Sequence, residues 1–317
     1  MPGQPAHAQR LVAVDDAFRS LPERYLGASP DFDATYHIRL CDLGHTWEVR
    51  CTTHGARVRK GVTPSEVVYE EDRLKLRHYL GEKPPRYRTP LVFIYALVNR
   101  PYILDLKNGR SVVANFVERG FDTYLVDWGI PTPADRHLTL EDYINGYMVN
   151  VMDYVRERTG AEEVNVLGYC MGGTMSAMFT ALHRSCVKNL ILLAAPIDFS
   201  SNDSLLNVWT RPEYFDVDKF VDAFGNCPPE FLQAGFLLLR PVGNLLEKPI
   251  NLYEHLHEEK FIDDFLTTET WLQDNIPVPG EVYREFVKYL YQKNLLAQNR
   301  MRWASALLTC AILPVRC

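Results

Sequence analysis

No stretch of this 317-residue chain is apolar over anything near the roughly 18 residues that a membrane helix requires. Its longest candidate, NLILLAAPI, has the length of a strand. The opening MPGQPAHAQRLVAVDD shows no basic start followed by an apolar run, so a secretory signal is not expected. Positive charge is not in excess: 34 Lys and Arg stand against 40 Asp and Glu, a net charge of -6. That balance lacks the basic face a nucleic-acid partner demands. The 7 cysteines (41, 51, 170, 186, 227, 310 and 317) are odd in number and irregular in spacing. With no CxxC pair and no Cys/His ligand spacing, neither a zinc site nor a disulfide framework is expected. A reducing cytoplasm fits best, and there Cys170 persists as a free thiol. Internal repeats and low-complexity tracts are missing as well.

What the chain does contain is ample core material, 47% hydrophobic with 12% aromatic residues. LVFIY (91–95), FDTYLV (121–126), VNVL (164–167) and NLILLAA (189–195) are short, nearly continuous apolar runs. Strands buried on both faces of a parallel sheet read this way. Helical patterns lie between them. The clearest opens at Thr139-Leu-Glu-Asp142, a capping signal, and carries Ile144, Met148, Val151 and Val155 along one face. Strands alternating with helices predict a doubly wound α/β sheet over 61–200. From 201 to 296 the pattern is helical, Leu- and aromatic-rich, and reads as a cap over the ligand-binding edge. Residues 1–60 form an N-terminal extension in which TYHIRLCD and HTWEVRCT alternate around a Leu-Gly turn, an antiparallel hairpin. That hairpin resembles part of a sterol-carrier-type domain; a plain extension packed on the main domain is the other reading. Residues 297–317 form an atypical tail.

The chemistry gathers at Gly168-Tyr-Cys170-Met-Gly172, a nucleophile-elbow pattern with cysteine where serine is usual. The chain must reverse sharply from strand into helix, and Gly168 and Gly172 leave room for that reversal. Strand VNVL leads in and a helix from about Thr174 leads out. The helix N-terminus, with the Met171 N–H, is expected to lower the thiol pKa and to stabilise an oxyanion. A second oxyanion donor is expected in the loop YALVNRPYILDL, from the N–H of Val98 or its neighbour Leu97. A thiol here also carries information about substrate. Attack by sulfur on an oxygen ester makes a more reactive product, whereas attack on a thioester is nearly thermoneutral and keeps the acyl group activated. Acyl transfer from a CoA thioester is therefore favoured over ester hydrolysis, and a helical cap would serve to exclude water.

From about Gly61 to Leu296 the chain resembles the catalytic subunit of a class III polyhydroxyalkanoate synthase, an α/β-hydrolase. The blocks that carry this are GVTPSEVVYEEDRLKL, IYALVNRPYILDL, TYLVDWGIPTPADRHLTLEDYINGY, NVLGYCMGGT, LILLAAPIDF and YREFVKYLYQKNLL. The resemblance implies that Cys170 accepts an (R)-3-hydroxyacyl group from CoA and then carries the growing polyester chain. It implies no cofactor, since acyl-CoA is the substrate. It further implies a second, non-catalytic synthase subunit, a homo-oligomer, and a place in the cytoplasm on the surface of polyester granules. Asp127-Trp128-Gly129 matches too, with the task of shaping the sheet edge.

In this fold the nucleophile's partners follow it in the order acid, then histidine. The last of the 9 histidines is His257, and no Asp or Glu follows Glu285. His255 and His257 fall in the cap, His183 lies on the helix leaving the elbow, and Asp198 comes one strand too early for the family acid. The expectation is a synthase whose C-terminal part of the sheet is missing through truncation, a frameshift near codon 300 or an assembly error, and which is inactive as written. Two alternatives stand beside it: a cysteine thioesterase or hydrolase of the same fold, and a non-catalytic granule-binding protein.

Overall fold

The structure is a computed structural model that describes residues 63–201 and 204–303, together with the backbone of strands Asp33–Leu40, His45–Thr52, Gly55–Lys60 and Ala306–Leu308. The first three of those strands, β1 to β3, form an antiparallel meander. Pairing of β1 with β2 runs from Asp33↔Thr52 to Leu40↔His45, the predicted hairpin, whose turn lies outside the described residues. Strand β3 was not foreseen. Of the tail expected at 297–317, residues 309–317 lie outside the described residues as well.

The central sheet has six strands: β4 (Ser65–Glu71), β5 (Leu74–Tyr79), β6 (Leu91–Ile94), β9 (Thr123–Asp127), β10 (Val164–Tyr169) and β11 (Val187–Leu193). A small hairpin, β7 (Asp105–Lys107) and β8 (Arg110–Ser111), precedes helix α1 (Val112–Glu118). The sheet order is β11-β10-β6-β9-β5-β4. Its pairings β6/β9, β6/β10 and β10/β11 are parallel, whereas β5 and β4 add an antiparallel edge. This is the predicted α/β architecture, with β6 at its centre: Leu91, Val92, Phe93 and Ile94 are each 0% exposed.

One strand departs from expectation. The run at 189–195 was predicted to be buried on both faces, yet Ile191, Leu192 and Leu193 keep 40%, 41% and 41% exposure. The reason is position, since among the described residues β11 pairs with β10 alone and is a sheet edge. Strands β12 (Met301–Trp303) and β13 (Ala306–Leu308) pair with each other instead.

The predicted cap at Thr139 is present: its N–H and Oγ1 both donate to Asp142 Oδ2, at 2.8 and 2.7 Å. The helix then opens as a π turn over Asp142–Tyr147 before continuing as α2 (Met148–Thr159). Ile144, Met148, Val151 and Val155 are all fully buried on its core face. Gly160 ends it at φ +68°, a left-handed conformation that glycine takes without strain. Helix α3 (Met171–Leu182) leaves the elbow, and 201–296 supplies six more: α4 (Leu205–Trp209), α5 (Val217–Phe224), α6 (Pro229–Leu238), α7 (Lys248–Glu254), α8 (Glu259–Gln273) and α9 (Gly280–Glu285). Val217, Val221 and Val287 form a small core that joins α5 to the segment after α9. Leu246 and Tyr253, by contrast, are 60% and 76% exposed. No described helix is long and apolar enough to cross a membrane.

Candidate active site

Strand β10 ends at Tyr169, and Cys170 turns the chain into α3 with φ +53° and ψ -127°. A side-chain-bearing residue in that region is strained, and the surroundings hold it there. The Cys170 N–H donates to the Leu193 carbonyl at 2.9 Å, and its own carbonyl accepts from Gly173 N at 2.9 Å. The two predicted glycines are required by close approach. A Cβ on Gly168 would lie 2.6 Å from Ser176 Oγ, and one on Gly172 would lie 2.5 Å from the Tyr95 carbonyl oxygen. Helix α3 thus packs its first turn directly on the end of β6.

The thiol is partly buried and accepts a hydrogen bond from the Met171 N–H. Its pKa corrects the sequence expectation. Burial pushes the thiol up, and the Met171 N–H offsets this only in part, so the net direction is upward. Tyrosines surround it: Tyr95 and Tyr169 stack at 5.4 Å, and Tyr291 is raised to about 12 by its burial and then by the charge a Cys170 thiolate would add.

The loop after β6 carries the other predicted donors. Leu97 is fully buried, and no acceptor among the described residues takes the N–H of Leu97 or Val98. Buried backbone donors are almost always paired, so the free N–H of buried Leu97, with that of half-buried Val98 beside it, is a donor open to a further acceptor near the strand end on which the elbow packs. The Val98 carbonyl faces the other way and accepts from Ile276 N at 3.2 Å. Asp127, 5% exposed, closes the edge of β9: its Oδ1 accepts from Gly129 N and its Oδ2 lies 3.5 Å from Arg100 Nη2. Trp128 Nε1 donates to the Tyr95 carbonyl at 2.8 Å.

Among the described residues no histidine or carboxylate bonds to Cys170. His183 caps the far end of α3 and bonds Asn145 at 2.9 Å, on the order of 18 Å along the helix from the thiol. His255 bonds the Asn251 carbonyl at 2.8 Å and stacks on Phe261, while His257 is exposed. His78 pairs with Asp122 at 2.7 Å, at the end of β9 away from Asp127. Asp198 is committed to Ser200 N and Asn294 Nδ2, at 2.9 and 2.7 Å. It clips the loop after β11 to the end of the 286–292 π turn, a tie that no local pattern announces. A separate open cleft of about 440 Å³, lined by Asp72, Arg73, Asp135, His137 and Tyr147 among others, includes none of the Cys170 site's residues. No group of residues suited to a metal ion occurs among the described residues.

A family model described as the alpha/beta hydrolase fold matches residues 89–307. Poly(3-hydroxyalkanoate) polymerase subunit PhaC of Haloferax mediterranei is 47% identical over 78% of this chain and 50% of its own length. The PhaC subunit of Allochromatium vinosum is 42% identical over 74% of this chain and 66% of its own. That of Synechocystis is 40% identical over 77% and 66%. The chain therefore spans half to about two thirds of the length of these relatives. Overlay on a carboxylesterase from the thaumarchaeon Nitrososphaera gargenis, 16% identical, covers 74% of this chain and 75% of that one but reaches a TM-score of only 0.37, too low to carry weight. Between the family match, the mostly parallel sheet and these identities, the chain belongs to the alpha/beta hydrolase fold family and groups within it with the PhaC subunits of poly(3-hydroxyalkanoate) polymerases.

Proposed function

We propose that this chain is a polyhydroxyalkanoate synthase-type acyltransferase subunit in which Cys170 is the nucleophile. The observation that carries this is the thiol itself, held at positive φ between β10 and α3 with the Met171 N–H on its sulfur. In the reaction, Cys170 sulfur attacks the thioester carbonyl of an (R)-3-hydroxyacyl-CoA. The amides of Met171 and of Val98 or Leu97 receive the oxyanion. The C–S bond to CoA breaks, and CoA leaves with the proton that the thiol gave up. The hydroxyl of a second acyl unit then attacks the Cys170 thioester, forming an ester bond and returning the proton to sulfur. No cofactor is needed.

Neither step has a base among the described residues, and the sequence offers no histidine beyond the cap. The 317-residue polypeptide alone is therefore expected to release CoA at least about 1000-fold more slowly than a full-length relative. The same reading brings the partners: the growing polyester, a second non-catalytic subunit, a homo-oligomer and the granule surface in the cytoplasm. The exposed apolar side chains of α6 to α8 suit such a surface.

The test is to incubate the purified chain with 3-hydroxybutyryl-CoA and follow CoA release together with the mass of the Cys170 peptide. A slow acyl adduct on Cys170, absent in Cys170→Ser, is expected. Equal CoA release from both proteins would remove Cys170 from the chemistry and favour a non-catalytic binder. Free 3-hydroxybutyrate without oligomer would instead favour a thioesterase.

A further inference from the structure

The loop that carries the Leu97 and Val98 amides contains no glycine and no turn motif that would fix its own shape. Its conformation is imposed from two sides. On the sheet side, Trp128 Nε1 donates to the Tyr95 carbonyl, Tyr95 Oη donates to Asn99 Oδ1 at 3.0 Å, and Arg100 faces Asp127. On the cap side, three successive loop residues are held by the segment that ends α8. Ile276 N donates to the Val98 carbonyl, Asn99 forms an antiparallel bridge with Asn275, and Trp271 Nε1 donates to the Arg100 carbonyl at 2.8 Å. Beyond the loop, Lys107 pairs with Asp263 at 2.9 Å and with Asp264, both on α8, and Arg110 lies 3.8 Å from Asp264.

The asymmetry of this loop is the informative part. Carbonyls 98 and 100 are turned into the cap, and the amides of 97 and 98 have no partner among the described residues at the end of β6, against which the elbow packs. A peptide plane is rigid, so binding the carbonyl of one residue constrains the torsions that aim the amides beside it. We propose that Trp271, through its indole N–H on the Arg100 carbonyl, is a positioning residue. It locks the Leu97–Arg100 loop in the form that keeps two amides free for the oxyanion, and so makes acyl transfer at Cys170 depend on a docked cap. This rests on the acyltransferase reading of the site. The step it controls is thioester exchange, in which the Cys170–acyl bond forms, the acyl–CoA bond breaks and the thiol proton passes to CoA. Alkylation of the same sulfur develops no oxyanion and has no use for the loop.

That difference supplies the test. Trp271→Phe keeps an aromatic ring, though a smaller one, and removes the donor, and Asp264→Asn weakens the α8 tie at a second point without touching the loop. In each variant of the full chain, three quantities are measured: hydrogen exchange at amides 97–100 and at Ile276, single-turnover acylation of Cys170 by 3-hydroxybutyryl-CoA, and its alkylation by iodoacetamide. In Trp271→Phe, exchange at these amides is expected to rise at least about 5-fold and acylation to fall at least about 10-fold, with alkylation within about 2-fold. Asp264→Asn is expected to move the same way by less. Unchanged exchange in both variants overturns the proposal, and so does acylation that falls no further than alkylation. Should the native chain take no acyl group at all, the proposed function is refuted, and the exchange data still decide whether the clamp exists.

Discussion

At the scale of the residue, Cys170 is a nucleophile candidate placed well and ionised poorly. Its thiol is raised by burial, and the Met171 N–H recovers only part of that cost. A raised thiol pKa leaves less thiolate at neutral pH than a free cysteine has, and reaction rates with simple alkylators follow the thiolate. Alkylation of Cys170 by iodoacetamide, read by peptide mass between pH 6 and 10.5, should therefore climb through a midpoint above the value of about 8.5 for free cysteine. A midpoint below it would mean that the helix terminus, not burial, controls the sulfur. Such a thiol needs a base to work at physiological pH. The neighbouring tyrosines cannot serve, because Tyr95, Tyr169 and Tyr291 are all themselves shifted upward, chiefly by burial.

At the scale of the element, the sequence was legible where one local rule decided the outcome. The elbow, the Thr139 cap and the stripe Ile144, Met148, Val151, Val155 each rest on neighbours a few residues apart. What could not be read depends on distant partners. The π winding of 142–147 carries no local signal, and the turn before it is tied to a distant helix, with Leu140 N donating to Glu285 Oε2 at 2.8 Å across 145 residues. The exposure of β11 follows from its having no second strand neighbour among the described residues, which its apolar run cannot signal. The tie of Trp271 to Arg100 spans 171 residues and joins α8 to the loop after β6. Glu285 offers a test of that long-range packing. Burial raises its pKa, with Glu281, Asp142 and Glu141 adding to the effect and the Leu140 N–H opposing it. A carboxyl whose pKa rises on folding favours the native state below its unfolded value and loses that contribution as pH climbs through the folded value. Glu285→Gln keeps a carbonyl for Leu140 and cannot ionise. Its urea midpoint should exceed the parent's at pH 7.5, and the gap should close toward pH 4. A gap independent of pH would mean that the charge is not what the site resists.

At the scale of the whole molecule, two apolar surfaces compete to explain how this chain would behave in solution. One is the β11 edge, where Ile191, Leu192 and Leu193 stand about 40% exposed beside a backbone edge that pairs with no second strand among the described residues, with Lys188 as the only charge on the strand. The other is the face of α6 and α7 with the turn between them, where Leu246, Ile250 and Tyr253 are exposed. They differ in kind. A strand edge adds backbone hydrogen bonds to apolar contact and so templates growth without limit, whereas a helical face offers side chains alone. A charge placed on the edge acts on the first and not on the second. Leu192→Lys removes nothing from the core, because Leu192 is already 41% exposed. Light scattering at matched concentration should therefore drop several-fold in Leu192→Lys, with the circular dichroism spectrum unchanged. If scattering stays at the parent's level while Leu246→Lys lowers it, association runs through the cap face, and that face is then the surface to test against polyester particles.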